Sequence, residues 1–247
     1  MAKAMLPRIL EPELMDTAED AREYDAMDHA AVNSQFVTDL LNALTDRSLQ
    51  TSASSVESRP VLRVLDLGAG TAQIPIELAR RAPAVHTTAV DAAESMLAVA
   101  RENIAKVGLK DRIELVLTDA KHLPFDDGSY SVVVSNSILH HIAEPREVIA
   151  EAIRVATPGG LLFHRDLARP RDEAHLSRLV DTYAGDATSY QRKLFADSLR
   201  AALTLVEMRA LVANFGLPSS TVQLSSDRHW TWDGQKRRGN SSGRRVN

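Results

Sequence analysis

The chain has 247 residues, 44% of them hydrophobic, with a formal net charge of −4 and no cysteine. That length suits one α/β domain with some decoration and a sizeable core, and it argues against two full domains. The missing cysteine excludes disulfides, cysteine-based zinc sites and cysteine nucleophiles.

Residues 1–20 carry scattered charges without the apolar core of a signal peptide, and no apolar run reaches membrane-spanning length, so a cytoplasmic protein is expected. Thr17 and Asp20 stand at capping-box spacing and open a first amphipathic helix. In the next, Val32, Phe36, Val37, Leu40, Leu41 and Leu44 share one face, with Asn33, Gln35 and Asp39 turned outward. Residues 1–47 are therefore expected to form an N-terminal helical lid, and the Ser-rich, polar stretch 48–60 a connector.

The core is expected over 61–233. Val61-Leu62-Arg63-Val64-Leu65 is short, apolar and β-branched, and it runs into Asp66-Leu67-Gly68-Ala69-Gly70-Thr71-Ala72, a strand followed by a glycine turn. Gly68 and Gly70 let the backbone turn sharply and present N–H groups to a ligand. Thr71 is expected to cap the helix Ile74 to Arg81, in whose first turn Pro75 is tolerated. Further strands at 85–90, 113–117, 130–135 and 161–165 alternate with helices at 93–107, closed by Gly108, and at 144–156, stopped by Pro158-Gly159-Gly160. Such alternation predicts a doubly wound, mostly parallel α/β sheet with helices on both faces. Residues 168–203 interrupt the rhythm with helical spacing (Leu176, Leu179, Val180, then Leu194, Phe195, Leu199) and read as an insertion after the fifth strand. Thr204-Leu205-Val206-Glu207 is a capping box opening a helix that ends at Asn214-Phe215-Gly216, and short strands follow at 221–224 and 229–232. The stretch 234–247 holds Lys236, Arg237, Arg238, Arg244 and Arg245 with no acid, and reads as a disordered basic tail. The body is then more acidic than the whole chain, which disfavours nucleic-acid phosphates as partners.

Asp66, Asp91 and Asp119 sit at the carboxyl ends of three successive strands, which share one crevice in an open parallel sheet. Asp91 can accept hydrogen bonds from a ribose diol, a position a dehydrogenase would use too. Gln73, however, stands where the dinucleotide fingerprint requires its last glycine. The run Asp66-x-Gly68-x-Gly70-x-Ala72 resembles motif I of the class I S-adenosylmethionine-dependent methyltransferases, with Ala72 at the family's frequent third glycine. Leu117-Thr118-Asp119-Ala120 resembles the family's adenine-binding position. Val132 to His141 is similar to the branch that holds the ubiquinone and menaquinone C-methyltransferases and many small-molecule enzymes. The resemblance covers residues 60–167.

The resemblance implies a seven-stranded Rossmann-like sheet with one antiparallel strand in its terminal pair, and S-adenosylmethionine as cofactor with S-adenosylhomocysteine as product. It implies that Asp66, Gly68 and Gly70, with Ala69 between them, hold the methionine part. Asp91 and Ala92 take the ribose; Met96, Asp119 and Ala120 take the adenine. Ser135 and Asn136 pass beneath the sulfonium, and Tyr24 folds over the cofactor. A sulfonium is already activated, so its displacement chiefly needs alignment and exclusion of water, and a base is optional. The candidate bases are His140, after the fourth strand, and His164 with Asp166 at the end of the fifth. His141 reads as a structural residue facing a helix, and Arg165 as a salt-bridge partner. No metal is expected. Tyr183, Tyr190, Gln191 and Phe195 on the insertion, and Arg228 near the last strands, are the expected substrate-lining residues. The leading reading is transfer of a methyl group to a small-molecule acceptor by in-line displacement. The alternatives are an RNA or protein methyltransferase, a non-catalytic S-adenosylmethionine-binding protein, and a nucleotide-sugar or NAD enzyme. Against the first stands Asn136-Ser137-Ile138-Leu139, which lacks the Asn-Pro-Pro-Tyr type loop of amino-methylating enzymes. The acceptor and the oligomeric state are not legible in the sequence.

Overall fold

The parallel strands are set by short apolar runs, such as Val64-Leu65-Asp66-Leu67, which gives way to a turn at Gly68. A computed structural model describes residues 5–11, 16–51 and 62–238; the expected connector beyond Thr51 and the expected tail beyond Arg238 lie outside the described residues. The first helices are α1 (Ala18–Ala26) and α2 (Ala30–Thr51). The core then alternates β1 (Leu62–Leu67), α3 (Gln73–Arg81), β2 (Val85–Asp91), α4 (Glu94–Lys106), β3 (Ile113–Leu117), β4 (Tyr130–Asn136), α5 (Pro145–Val155) and β5 (Ala156–Leu167). The insertion is α6 (Glu173–Tyr183) and α7 (Ser189–Ala201), and α8 (Leu205–Asn214), β6 (Val222–Leu224) and β7 (His229–Gln235) complete the chain. The sheet order is β3-β2-β1-β4-β5-β7-β6, and β7 alone runs antiparallel to its neighbours. Order reverses between β1 and β4, which places the ligand crevice of an open α/β sheet at the carboxyl ends of these two strands.

Both faces of the sheet are covered. On one, Phe36, Val37 and Leu40 of α2 and Leu78 of α3 pack on Val64, Val132, Val134, Leu161 and Phe163. On the other, Val148, Ile149 and Ala152 of α5 and Met208 and Val212 of α8 pack on Leu65, Val133, Leu162, Trp230 and Trp232. The helix α2 is thus a layer of the sandwich rather than part of a lid, and Val32, expected on its apolar face, is 40% exposed. Arg165 crosses to α2 and donates to Asp39 at 2.7 Å and to Thr231 Oγ1 at 2.8 Å, so the salt bridge expected of it is present.

Three local expectations change. Thr71 does not cap α3: the cap residue is Ala72 in left-handed backbone at φ 63°, and the buried Thr71 hydroxyl has no partner. Pro158-Gly159-Gly160 lies inside β5, because the register shifts between Tyr130 and Val132 and absorbs the irregularity. Lys236, expected to open a disordered tail, exchanges backbone hydrogen bonds with Gly159 and Gly160, and its Nζ donates to the carbonyls of Arg154 and Ala156. By contrast Thr204 and Glu207 form the reciprocal cap of α8 that their spacing predicts.

Because Phe36 is 1% exposed and joins α2 to the centre of the sheet, Phe36→Ala is expected to lower stability by about 3 kcal/mol in urea denaturation.

Candidate active site

The crevice is built around a turn that side chains would block. Gly68 and Gly70 have φ of 68° and 53°, and a Cβ on Gly68 would lie 2.1 Å from Ile138 Cγ2 in the segment after β4. The turn is held from the next strand: one Asp91 oxygen accepts from Gly70 N–H at 2.8 Å, the other from Ala93 N–H at 2.9 Å. Asp66 lies beneath it, 3% exposed, and its Oδ2 has no hydrogen-bond partner. Burial and the nearby Asp91 push its carboxyl up to about 8. Burial also raises Asp91, against the lowering effect of its backbone donors.

Gln73, the residue that departs from the dinucleotide pattern, ties the N-terminal helices to this turn. Its amide accepts from Asn33 at 2.9 Å and donates to Asp25 Oδ1 at 3.3 Å, while Asn103 donates to the same Asp25 oxygen at 2.8 Å. With Ala21 packed on Ala93 and Met96, this network places Tyr24 over the glycine turn, its Cε1 3.6 Å from where a Gly70 Cβ would stand. Burial, then the Asp91 and Asp66 carboxylates, raise the Tyr24 phenol above its ordinary range.

The result is a cavity of about 240 Å³ that brings together Tyr24, Gly68, Gly70, Asp91, Ala92, Met96, Asp119, Ala120 and Asn136 from the sequence-expected set. An adjoining small hollow is lined by Asp66 and Ala69. Asp119 turns its carboxylate onto its own loop, accepting from Lys121 N–H at 2.8 Å, with Lys121 Nζ at 3.4 Å. Ser135 stands apart from both spaces, 1% exposed with an unpartnered hydroxyl.

The rim opposite the glycine turn comes from Ser137, Ile138, His141 and Ile142. Here three expectations are corrected. His140 does not line the cavity; it is 4% exposed, with Nδ1 2.6 Å from Asp166 Oδ1. Asp166 is no base either, because it accepts from Leu139 N–H, His140 N–H and Leu167 N–H and fastens the whole segment after β4. His164 is fully buried against Trp232, with ring centroids 5.1 Å apart and both ring nitrogens unpartnered, and burial drives it down to about 3. The strand period explains the error: His164 and Asp166 do share a face of β5, but that face is core. His141, expected to be structural, is the imidazole on the wall, and its Nδ1 lies 3.0 Å from Glu11 Oε1.

The chain matches a family described as "Methyltransferase domain" over residues 65–164. It is 31% identical to the malonyl-[acyl-carrier protein] O-methyltransferase of Geobacter sulfurreducens, over 77% of this chain and 67% of that one. It is 29% identical to the demethylmenaquinone methyltransferase of Desulfitobacterium hafniense, over 75% and 79% of the two chains. A stretch of 108 residues is 40% identical to the demethylmenaquinone methyltransferase of Clavibacter sepedonicus, spanning 42% of that relative's length. The chain belongs to the class I S-adenosylmethionine-dependent methyltransferases. Its fold is shared with a SAM-dependent methyltransferase from Aquifex aeolicus, TM-score 0.62 at 15% identity over 90% of this chain and 100% of that one. It is shared too with the plantazolicin methyltransferase BpumL in complex with a triazolic desmethylPZN analog and SAH, TM-score 0.63 at 15% identity over 88% and 90% of the two chains.

In this methyltransferase the insertion does not reach the cavity. Tyr183 is 44% exposed, its hydroxyl 2.8 Å from Asp227 Oδ2 and its ring under the Arg228 guanidinium. Tyr190 is exposed, Gln191 completes the cap of α7, and Phe195 packs on Leu6, Leu167 and Leu176. What sequence reasoning missed is the segment 5–11, which has no periodicity to reveal it. Arg8 threads it under the rim, donating to the carbonyls of Ala201 at 2.6 Å and Ile142 at 2.9 Å, and Glu11 reaches His141.

Gly68→Ala is expected to destabilise the methyltransferase and weaken S-adenosylmethionine binding more than tenfold by titration calorimetry. Adding Ile138→Ala relieves only the contact part of the loss, because the left-handed backbone at 68 remains. His164 generates a pH dependence. Its folded value lies below its ordinary one of 6.5, so the unfolded chain takes up a proton that the native state refuses. Stability is therefore whole above pH 6.5 and falls as pH drops toward 3. Urea melts of His164→Leu between pH 4 and 7 should show a loss shallower than wild type by up to about 1.4 kcal/mol per pH unit.

Proposed function

We propose that the enzyme transfers a methyl group from S-adenosylmethionine to a small-molecule acceptor by in-line displacement at the rim formed by Ser137, Ile138, His141 and Ile142. The observation that carries this reading is the buried, unpartnered Asp66 Oδ2 beside the glycine turn, on the small hollow that adjoins the cavity: an orphan acceptor next to open space. Both suit the methionine part of the donor, whose ammonium the Asp66 carboxylate would accept through Oδ2 or a bridging water. A cation there also favours ionisation of Asp66, which burial opposes. The Asp91 carboxylate is held by backbone donors and lines the cavity, where its remaining acceptor capacity suits a ribose hydroxyl. Met96, Asp119 and Ala120 line the same cavity, which supports an adenine held beside them.

When bound, the donor supplies an activated methyl; the chain's own part is to align it and exclude water. Tyr24 closes one side, and Ile138 and Ile142 give the facing wall an apolar surface. The wall's imidazole is held through Nδ1 by Glu11, which orients the ring and leaves its Nε2 unengaged. The acidic chain supports a small acceptor over a nucleic acid, as do relatives named for demethylmenaquinone methylation.

The test is calorimetry followed by turnover. Asp66→Asn and Asp91→Asn are each expected to weaken S-adenosylmethionine binding at least tenfold, and an acceptor panel of quinones, phenols and carboxylic acids should show methylation by mass. Donor binding without transfer to any acceptor would overturn the catalytic part of the reading. Undiminished binding by both variants would overturn the site.

A further inference from the structure

Glu11, His140 and His141 are brought together from two distant stretches of chain, and the function above leaves the cluster unused. Nδ1 of His141 lies 3.0 Å from Glu11 Oε1, Nε2 of His140 lies 3.5 Å from the same oxygen, and the three donor atoms all fall within 4.8 Å of one another. Ligands about 2.0–2.1 Å from a tetrahedral zinc stand about 3.3 Å apart, so both separations from Glu11 are of the size a shared ion requires, and the two imidazole nitrogens would close around it. We propose that Glu11, His140 and His141 form a binding site for a divalent transition metal of the zinc class, beside the acceptor end of the cavity.

Three features of the surroundings carry the proposal beyond mere proximity. First, His140 Nδ1 is held at 2.6 Å by Asp166 Oδ1, which keeps the ring proton on that side and leaves the Nε2 lone pair facing Glu11. A carboxylate behind a ligating histidine is the arrangement that fixes ring orientation and tautomer at metal sites. Second, Glu11 is itself oriented, accepting from Ser198 Oγ at 3.1 Å, and its side chain is 12% exposed. Third, the carboxylates of Glu11 and Asp166 both face the cluster, while the nearby Arg8 spends its donors on backbone carbonyls. Two neutral imidazoles and one carboxylate are a donor set suited to zinc and to ferrous iron.

Because His141 lines the cavity and Glu11 belongs to segment 5–11, a metal here also staples that segment to the rim of the site. The site binds its ion independently of methyl transfer, so it stands or falls apart from the function proposed above.

The experiment is a titration of the chelator-treated full chain with zinc chloride at pH 7.5, followed by calorimetry and by thermal melting. One equivalent is expected to bind with a Kd in the micromolar range or below and to raise the melting temperature. Glu11→Gln and His141→Gln should each weaken binding at least tenfold, whereas His86→Gln, an exposed histidine on β2, should not. Both rim variants are checked for fold by circular dichroism and for S-adenosylmethionine binding. Absence of stoichiometric zinc binding to wild type, or binding that both rim variants retain in full, overturns the proposal.

Discussion

At position 68 there is no room for a side chain, and most of the site follows from that. The turn after β1 and the segment after β4 approach so closely that a single methyl would strike Ile138. The two strands flank the point where the sheet order reverses, so this contact defines the floor of the crevice. The approach is sustained from three directions by polar groups. Asp91 holds the turn through two backbone N–H groups, and Asp166 holds the opposing segment through Leu139 and His140. Gln73 and Asp25 anchor the helix whose Tyr24 closes the top.

The buried carboxylates divide by whether their acceptors are satisfied. Asp166 accepts from several donors and sits below its ordinary range, a fastener with nothing left to give a ligand. Asp66 is equally buried but has an oxygen without a donor, and it sits far above its ordinary range. Unmet hydrogen-bonding capacity in a buried group destabilises a fold unless a ligand meets it, which is why Asp66, and not Asp166, is the carboxylate on which the proposed donor site rests.

Much of the fold was legible because its signals are local. The β-branched runs, the glycine turn and the Thr204–Glu207 cap act over a few residues, and each appears where its spacing puts it. The strand-end side of the cavity was legible for the same reason, since Asp66, Gly68, Gly70, Asp91 and Asp119 are each tied to a strand end and line the cavity or its adjoining hollow. The facing rim was not. Which of two adjacent histidines faces a cavity depends on how the segment after β4 is pinned, and Asp166, 26 residues away from His140, does the pinning. The aromatic residues of α6 and α7 looked like a wall, yet Phe195 packs on its own helical pair while Tyr183 turns to Asp227. Helical periodicity records that a face is apolar without saying what covers it.

By itself the sequence determined the layered α/β architecture, the family and the carboxylates grouped at the strand ends, because strand period and turn chemistry are written in consecutive residues. Only the tertiary structure decided that α2 is a layer of the core, that His141 rather than His140 meets the cavity, and that Glu11 joins them. Those outcomes rest on contacts between residues distant in the chain, from 26 positions for His140 and Asp166 to well over a hundred for Glu11 and His141, whose geometry exists only once the chain has closed.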